Sequence, residues 1–577
     1  MQYSGARILV ESLIEEGVDT IFGYPGGSVL HIYDELYRQQ KRIRHILVSH
    51  EQHAAHAADG YARSSGRVGV CLATSGPGAT NLVTGIATAF VDSVPIVAIT
   101  GNVGVPLLGK DSFQEVDITG VTMPIVKHNW IVKDVKDLAQ VVREAFIVAK
   151  TGRPGPVLID IPKDICAALC EWRRGSERET PSADFRAVRL EERSKRETFT
   201  AADIDNAVTF LKNAKRPVLY AGGGVITSGA AAELKKLAEL LNAPVALSLM
   251  GVGAFPHDHR LCTGLIGMHG TIASNKAVQK SDLLIAAGAR FSDRVTSQVA
   301  RFARSAKILH IDIDPAEINK NLKSDAAVVG DIKIILNSLI KKLPEKITTE
   351  WNDEIRKWKA VIPRDHHRKI ALHPRFVIQE TAKALGDEAT VVTDVGQHQI
   401  WAAQFYPFSR PRSFLTSGGM GTMGYGMGAA MGAALGSVTG AKSRCPQRPV
   451  VLFTGDGCFR MNCAEMATLV HYRLPVLIII FNNQTLGMLR QWQNIFYESH
   501  YYETSLENRG PDFIKLAQAY DVPGFRADNE AEFLAALKNS LKVLAAGKPA
   551  LIEAIIDRDE RVVPMVPGGK PIDEQIM

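Results

Sequence analysis

The sequence has few cysteines and no long apolar run, and each shortage excludes a class of protein. Its 577 residues include 7 cysteines, an odd number, with no CxxC spacing. Such sparse cysteines indicate a reducing compartment and disfavour a disulfide framework or a zinc site. The apolar runs have the length of strands and fall short of the roughly 20 residues that a membrane-spanning helix needs.

Excess charge is also missing. The formal net charge is +6, without a long basic block, so nucleic acids and membrane surfaces are not favoured as partners. Residues 1–17 predict an amphipathic helix that contains acidic residues. This segment has neither the apolar core of a signal peptide nor the acid-poor character of a transit peptide. The sequence therefore predicts a cytoplasmic protein.

Strand-length apolar runs alternate with helical patterns along most of the chain, which is typical of parallel sheets wrapped by helices. Three such stretches are predicted as domains, 1–170, 197–345 and 374–577. The charged segment 171–197 is predicted to be a surface linker and 345–373 a helical connection. The predicted fold class is α/β, with three doubly wound parallel-sheet domains in series.

The most informative motif is GDG at 455–457, followed by NN at 482–483. Asp456 follows the apolar run PVVLFT and Asn483 follows PVLIIIF, so both are expected at one edge of a sheet, with a loop and a helix between them. Their oxygens suit Mg²⁺, which keeps other positions for phosphate. Gly455 and Gly457 let the backbone approach a diphosphate closely. The alternative, two unrelated turns, is disfavoured by this order and spacing.

GDG and NN at this spacing resemble the motif of the thiamine-diphosphate enzymes. More segments resemble one family of them, the catalytic subunits of acetohydroxyacid synthase (acetolactate synthase). They are HEQ-AAHAADGYAR, SGPGATNLVTGIA, KDSFQEVDITG, GRPGPVLIDIPKD, GMHG, GARFSDRV, HIDIDPAEI and LGMLRQWQ. The resemblance covers nearly the whole chain and implies that the first and third domains have similar folds and bind different halves of the cofactor.

By this resemblance, Glu51 is the catalytic residue, which hydrogen bonds the aminopyrimidine ring of thiamine diphosphate and favours its imino tautomer. The alternative is an acid that only stabilises a helix N-terminus. The resemblance assigns Mg²⁺ to Asp456, Asn483 and the Thr485 carbonyl. It assigns cofactor contacts to Glu51, Gln397, His398, Gly421, Met423, Gly455, Asp456, Gly457 and Asn483.

The segment 418–428 also contains a G-x-G-x-x-G pattern, which on its own favours NAD(P) binding. We discount this alternative because no acidic residue lies at a suitable distance on a second strand. The resemblance instead makes Met423 the apolar wedge that holds the cofactor bent. A methionine of the core remains the structural alternative.

The central domain carries segments that look like the FAD contacts of the same family. The implied residues are Arg153, Gly267, Met268, His269, Gly270, Arg290, Asp312 and Asp331. The arginines can pair with a diphosphate, and the aspartates can accept hydrogen bonds from a ribose. The FAD would have no redox role. The alternative is an empty domain, as in several relatives.

The implied activity is decarboxylation of pyruvate on thiamine diphosphate and transfer of the two-carbon unit to a second 2-keto acid, pyruvate or 2-ketobutyrate. This is the first common step of branched-chain amino-acid biosynthesis. The implied substrate contacts are Phe113, Gln114, Lys127, Met488 and Trp492, and the Trp492 ring would favour 2-ketobutyrate. The implied assembly is a homodimer or tetramer with shared active sites, joined by a small regulatory subunit.

The sequence departs from the family pattern at several positions: His53 replaces a glycine, Asn102 a glutamine and Ser292 an aspartate. The departures near residues 102–111 could change the pocket and leave substrate preference open. Three rival activities also remain. A pyruvate oxidase would pass electrons to FAD, and a nicotinamide-dependent dehydrogenase would depend on the glycine pattern alone. A glyoxylate carboligase is disfavoured by Glu51, which that enzyme lacks.

Overall fold

The computed structural model describes residues 2–172, 198–345, 349–361, 372–437 and 448–577. The predicted surface linker at 171–197 lies almost entirely outside these residues. The predicted helical connection at 345–373 is described in part and contains the helix Thr349–Lys359. Among the described residues, we find no helix with the length and apolar character that crossing a bilayer requires.

Three parallel sheets of six strands form the framework, as the sequence predicted. The first contains Thr20–Tyr24 (β2), Arg44–Leu47 (β3), Gly69–Ala73 (β4), Ile96–Asn102 (β5), His128–Ile131 (β6) and Val157–Pro162 (β7). Its strand order is β3-β2-β4-β5-β7-β6, and all its pairs are parallel. Two short strands, Gln2–Ser4 (β1) and Leu169–Glu171 (β8), pair antiparallel beside it.

The second sheet contains Pro217–Ala221 (β9), Val245–Leu247 (β10), Cys262–Leu265 (β11), Leu283–Ala287 (β12), Lys307–Asp312 (β13) and Ala326–Val329 (β14), in the order β11-β10-β9-β12-β13-β14. The third contains Thr390–Thr393 (β15), Phe414–Leu415 (β16), Val450–Gly455 (β17), Val476–Asn482 (β18), Gly524–Ala527 (β19) and Ala550–Ile555 (β20), in the order β16-β15-β17-β18-β20-β19. Both sheets are parallel throughout.

Helices cover both faces of each sheet, because the central strands are apolar on both sides. In the first domain they are Gly5–Glu15, Leu30–Gln39, Glu51–Ser65, Pro77–Asn81, Val83–Val91, Ile118–Thr122, Leu138–Lys150 and Lys163–Ala167. In the second they are Ala201–Asn213, Gly223–Thr227, Ala231–Leu241, Ile272–Lys280, Asp293–Thr296 and Ile332–Lys342. In the third they are Pro374–Leu385, Gln397–Phe405, Gly426–Gly436, Asp456–Asn462, Met466–His471, Gly487–Phe496, Phe513–Ala519 and Glu530–Ala545.

The N-terminal segment differs from its prediction as one amphipathic helix. Gln2–Ser4 form strand β1, and the helix begins only at Gly5. The Ser4 side chain accepts a hydrogen bond from the Arg7 N–H and so caps the helix. A serine at this position favours a helix start, which the apolar periodicity alone did not indicate.

The first and third domains share one hydrophobic core, built around the crossing of helices Glu51–Ser65 and Gly426–Gly436. The crossing is close because small residues face each other. A Cβ added to Gly432 would lie 2.0 Å from the Ala57 carbonyl oxygen, and one added to Gly60 would lie 2.2 Å from that of Ala429. Glu51, the first residue of one helix, is thereby held firmly relative to the third domain.

Candidate functional site

The GDG and NN motifs meet at the carboxyl edge of the third sheet, as the sequence predicted. Strands β17 and β18 are adjacent and parallel, with Gly455 opposite Phe481. Asp456 directly follows β17, and Asn483 directly follows β18. The connection differs from the predicted loop and helix. A helix begins at Asp456 itself and runs to Asn462, and a second helix follows at Met466.

These strand ends border a cleft with a cavity volume of about 80 Å³. The residues that line it include Gln397, His398, Met423, Gly455, Asp456, Gly457, Asn483, Thr485 and Met488. The structure thus brings together most of the positions predicted to hold the diphosphate and the metal. The lining residues all belong to the third domain, within the part of the chain that the structure describes.

The polar side chains at the edge of the cleft hold one another in place through hydrogen bonds. The Asn483 amide donates to Gln397 Oε1 at 3.3 Å, and its own oxygen accepts from the Thr485 N–H at 3.2 Å. Gln397 in turn donates to Gln491 Oε1 at 3.1 Å. A Cβ on Gly487 would lie 2.0 Å from Gln397 Oε1, so only glycine leaves room for this arrangement.

Asp456 has the electrostatics of a cation ligand. Burial raises the pKa of its carboxyl group to about 7, although the Gly457 N–H donates to Oδ1 at 3.0 Å. A divalent cation at this carboxylate would compensate the desolvation and favour the charged form. The oxygens of Asp456, Asn483 and Thr485 form a hard donor set that fits Mg²⁺.

The surroundings of His398 also show whether the cleft fits a diphosphate. Its imidazole is buried, and burial lowers its pKa to about 3, so the ring is neutral near pH 7. Its Nε2 atom has no hydrogen-bond partner among the described residues. A buried polar atom without a partner is costly, and a bound phosphate oxygen would accept a hydrogen bond from Nε2 when this nitrogen carries a proton. A Cβ on Gly455 would lie 3.2 Å from this ring, so the glycine keeps the approach open.

The loop that carries Gly421 and Met423 is held by the first domain. The Asp92 carboxylate accepts from Gly418 N–H at 3.0 Å and from Gly419 N–H at 2.8 Å. Met423 Cε lies 3.7 Å from the position of a Cβ on Gly457, which places Met423 above the GDG turn. The sequence reasoning missed Asp92, because its partners in this loop lie more than 300 residues further along the chain and no local pattern identifies them.

Asp92 belongs to a buried ionic group. Arg63 donates to Asp92 Oδ2 at 3.0 Å and to Asp59 Oδ1 at 2.6 Å. The Tyr425 hydroxyl donates to Asp59 at 2.6 Å. The neighbouring carboxylates raise the pKa of Arg63 despite its burial, so the guanidinium stays charged. Charged residues on an otherwise apolar helix could have indicated such a group, but not its partners.

Glu51 begins its helix, as predicted, and its side chain is half-buried. Its Oε2 accepts from the Asn81 amide at 2.9 Å. A Cβ on Gly78 would lie 3.2 Å from Oε1, so the glycine leaves this oxygen accessible. Glu51 is not among the residues that line the cleft of its own chain.

The predicted FAD residues of the central domain lie at the carboxyl edge of the second sheet, where α/β folds bind ligands. Gly267–Gly270 follow β11, Arg290 follows β12, Asp312 ends β13 and Asp331 follows β14. His269 Nδ1 is buried without a partner among the described residues, and burial lowers the pKa of this ring to about 4. Met268 is buried, and its N–H donates to the Arg294 carbonyl at 2.8 Å.

The side chains of two of these residues form hydrogen bonds with other parts of the protein. Arg153 donates to Glu317 at 2.8 Å and to the Ser93 hydroxyl at 2.8 Å. Asp331 caps the helix Ile332–Lys342 by accepting from the Ile334 N–H at 3.2 Å. Both side chains therefore have structural roles, in addition to any contact with a ligand.

The predicted substrate residues are not in one place. Met488 lines the cleft, and Trp492, one helical turn later, packs its ring against Phe496 at 5.3 Å between centroids. Phe113 is 88% exposed on a surface loop, beside Gln114 at φ 58°.

Lys127 lies under the end of the helix Leu138–Lys150. It donates to the Val148 carbonyl and, at 2.5 Å, to the Thr151 carbonyl, and burial lowers its pKa to about 8. Its charge is therefore placed at a helix C-terminus, which it stabilises.

Two of the three departures have clear local roles. His53 contacts the buried carboxylate of Glu465, with Nδ1 and Oε1 2.9 Å apart. Asn102 donates to the Asp160 carboxylate at 2.5 Å. Ser292 precedes the short helix Asp293–Thr296 without a capping hydrogen bond from its side chain.

Comparisons with known proteins agree with this geometry. Three family profiles match in order: thiamine pyrophosphate enzyme, N-terminal TPP binding domain, at residues 3–121, the central domain at 204–339, and the C-terminal TPP binding domain at 394–554. The acetolactate synthase large subunit of Corynebacterium glutamicum is 46% identical over 98% of this chain and 89% of its own. That of Porphyra purpurea is 43% identical over 98% of this chain and 94% of its own. A probable acetolactate synthase large subunit of Methanococcus aeolicus is 43% identical over 98% of this chain and 94% of its own.

Proposed function

This chain belongs to the thiamine pyrophosphate enzymes, in the family of acetolactate synthase large subunits, and we propose that it forms acetolactate from two molecules of pyruvate. The observation that carries the proposal is the cleft at the tips of β17 and β18, which Asp456, Asn483 and His398 line. His398 Nε2 is buried there and has no partner within the part of the chain that the structure describes. This donor set fits a diphosphate with Mg²⁺. When bound, thiamine diphosphate supplies the carbon nucleophile and the electron sink for decarboxylation.

The chain's own residues bind and orient the reactants. Asp456, Asn483 and the Thr485 carbonyl would hold Mg²⁺, while Gln397 and His398 would contact the diphosphate. Met423 would present an apolar surface to the cofactor, and the space beside Gly421 is open, since a Cβ there would meet no atom of the described residues within 4 Å. Glu51 would hold a proton at a ring nitrogen of the aminopyrimidine, since its Oε1 faces Gly78, which has no side chain.

We propose that each active site is shared by two copies of the chain. Glu51 does not line the cleft of its own chain, which supports an arrangement in which it completes the cleft of a partner. Mixing inactive Glu51→Gln and Asp456→Ala chains tests this. A shared site predicts that mixed dimers recover activity, because one of their two sites is intact. If each chain held a complete site, the mixture would stay inactive.

The activity itself is tested with purified protein, pyruvate, thiamine diphosphate and Mg²⁺. We expect acetolactate as the product, and its loss in the Glu51→Gln and Asp456→Ala variants. Acetaldehyde or acetate as the sole product would reject the proposal. Competition between pyruvate and 2-ketobutyrate in one reaction would measure the acceptor preference that Trp492 is proposed to influence.

FAD without a redox role is part of the proposal, supported by the position of Gly267–Gly270, Arg290 and Asp312 at one sheet edge. The purified protein is expected to retain a flavin whose absorbance does not bleach with pyruvate at the rate of turnover. Bleaching at that rate would favour the rival pyruvate oxidase.

We also propose that the chain works with a small regulatory subunit, because its relatives are named large subunits. No surface among the described residues identifies where that subunit would dock. A cytoplasmic location remains a prediction from composition. Co-purification with a tagged small subunit encoded in the same genome would test the association.

A further inference from the structure

A buried carboxylate of the third domain forms hydrogen bonds with the turn that precedes Glu51. Glu465 is fully buried, and its Oε1 atom accepts from the Ser49 N–H at 2.9 Å and from the His50 N–H at 3.2 Å. His53 Nδ1 lies 2.9 Å from the same oxygen. The other oxygen, Oε2, accepts from the Thr468 hydroxyl at 2.6 Å. Four donors thus satisfy one carboxylate, and three of them belong to the first domain.

The same turn has further contacts with the third domain. The Leu47 N–H donates to the Tyr472 hydroxyl at 2.8 Å, and the Ser49 hydroxyl donates to the Ala464 carbonyl at 3.1 Å. Leu47 ends strand β3, and Glu51 begins the following helix. The connection between them is therefore held along its whole length by the segment 464–472, more than 400 residues away in the chain.

Removing this carboxylate would free the turn on one side. The N–H groups of Ser49 and His50 are the last backbone donors before the helix, so they set the direction in which the helix begins. His53, two residues after Glu51, adds a side-chain contact to the same carboxylate, with Nδ1 and Oε1 2.9 Å apart. Hydrogen bonds to a buried charge are stronger than those between neutral groups, because little water competes with them.

We propose that Glu465, together with His53, is a positioning residue for Glu51. It fixes the turn 49–51 so that the Glu51 carboxylate meets the cofactor ring in a single orientation. Glu465 does not touch the reactants. This inference rests on the proposed role of Glu51 and adds the device that sets its geometry.

The test measures proton exchange rather than turnover. In each variant with thiamine diphosphate and Mg²⁺ bound, deuterium exchange at the thiazolium C2 atom is followed by quenched-flow NMR. Glu465→Met keeps the side-chain length and removes every acceptor. Glu465→Gln keeps an oxygen that can face the turn. Thr468→Val removes the donor on the far oxygen, together with a long contact of 3.4 Å to the Leu47 carbonyl oxygen, and leaves Oε1 and its three donors intact. The Glu51→Gln variant gives the exchange rate of a protein that lacks the catalytic carboxylate.

We expect Glu465→Met to slow exchange by about 10- to 100-fold, since small misplacements of a catalytic group have effects of this size. The dissociation constant of the cofactor should stay within about threefold of wild type, less than 1 kcal/mol. Glu465→Gln and Thr468→Val should exchange at nearly the wild-type rate. The loss should appear in kcat of the overall reaction and not in KM for pyruvate.

Exchange at the wild-type rate in Glu465→Met would overturn the proposal, and so would equal losses in the Met and Gln variants. If Glu465→Met fails to fold or to bind the cofactor, the His53→Ala variant tests the proposal instead, because it removes only one of the donors to Glu465. It should slow exchange by about threefold or more, the size of one lost hydrogen bond, and an unchanged rate would reject the inference. A wild-type rate in Glu51→Gln would instead reject the proposed role of Glu51.

Discussion

The crossing of helices Glu51–Ser65 and Gly426–Gly436 predicts that Gly432→Ala destabilises the protein. The new methyl group would lie 2.0 Å from the Ala57 carbonyl oxygen and 2.6 Å from the Tyr61 nitrogen. Both are backbone atoms inside a helix, so neither can rotate away. Since carbon and oxygen normally stay about 3.3 Å or more apart, the helices must separate by roughly 1 Å.

Two opposing effects determine the size of the change. Alanine favours a helix over glycine by about 1 kcal/mol. Overpacking a close-packed interior costs about 1–3 kcal/mol, and rigid backbone neighbours place this site at the upper end. We therefore expect the free energy of unfolding to fall by about 2 kcal/mol net. The separation would also displace the helix that begins with Glu51, so activity should fall as well.

Chemical denaturation followed by tryptophan fluorescence measures the stability, with Gly436→Ala as the matched control. That methyl group would first meet the Ser64 hydroxyl, at 2.4 Å, which can rotate to another position. The control should therefore lose much less stability. Adding Ala57→Gly to Gly432→Ala should not restore stability, because the clash is with the carbonyl of residue 57 and not with its side chain. Full rescue by Ala57→Gly would refute the reasoning.

Three other changes have defined outcomes. Burial raises the pKa of Asp160 from 3.8 to about 7, so this group's contribution to stability is present below pH 3.8 and is lost as the pH rises through 7. Asp160→Asn should remove that decline in denaturation measured across this range, and an identical pH dependence would contradict the assignment. Trp492→Leu should lower the selectivity for 2-ketobutyrate over pyruvate by about fourfold, the value of one buried CH₂; an unchanged ratio in a competition assay would exclude this tryptophan as the determinant. Asp456→Ala should weaken Mg²⁺-dependent cofactor binding, measured by calorimetry, by roughly 100-fold or more, because a change next to the metal ligands can already weaken binding by that factor. Arg460→Ala, on the same helix, should bind the cofactor normally. Equal binding by both variants would contradict the metal assignment.

The framework and the cleft could be predicted from the sequence because both depend on local patterns. Strand-length apolar runs identified the parallel sheets, and their adjacency placed Asp456 and Asn483 at one edge. The start of the helix at Asp456 was missed, since the apolar periodicity became visible only further along. In the structure Asp456 is the first residue of that helix, where a negative charge is favourable.

Side-chain partners could not be predicted in the same way. Lys127 and Arg153 were expected to face ligands, because residues of the same type occupy matching motifs in the resembled family. The structure gives them protein partners, two carbonyls at the C-terminal end of a helix for Lys127 and Glu317 for Arg153. A motif specifies the type of residue at a position, but the direction of a long, flexible side chain depends on neighbours distant in sequence.

His53 shows how such distant contacts change the meaning of a local difference. In the sequence it was only a departure from a glycine, close to the catalytic acid and of unknown effect. In the structure its ring lies within the protein, 5% exposed, against a carboxylate from the third domain. A glycine there would leave Glu465 with backbone and hydroxyl donors alone, so the histidine adds a donor to a carboxylate that is costly to bury. His53→Gly should therefore weaken the contact between the two domains more than it disturbs the helix, and the midpoint of denaturation should fall further than in His50→Gly, whose side chain lies outside this contact.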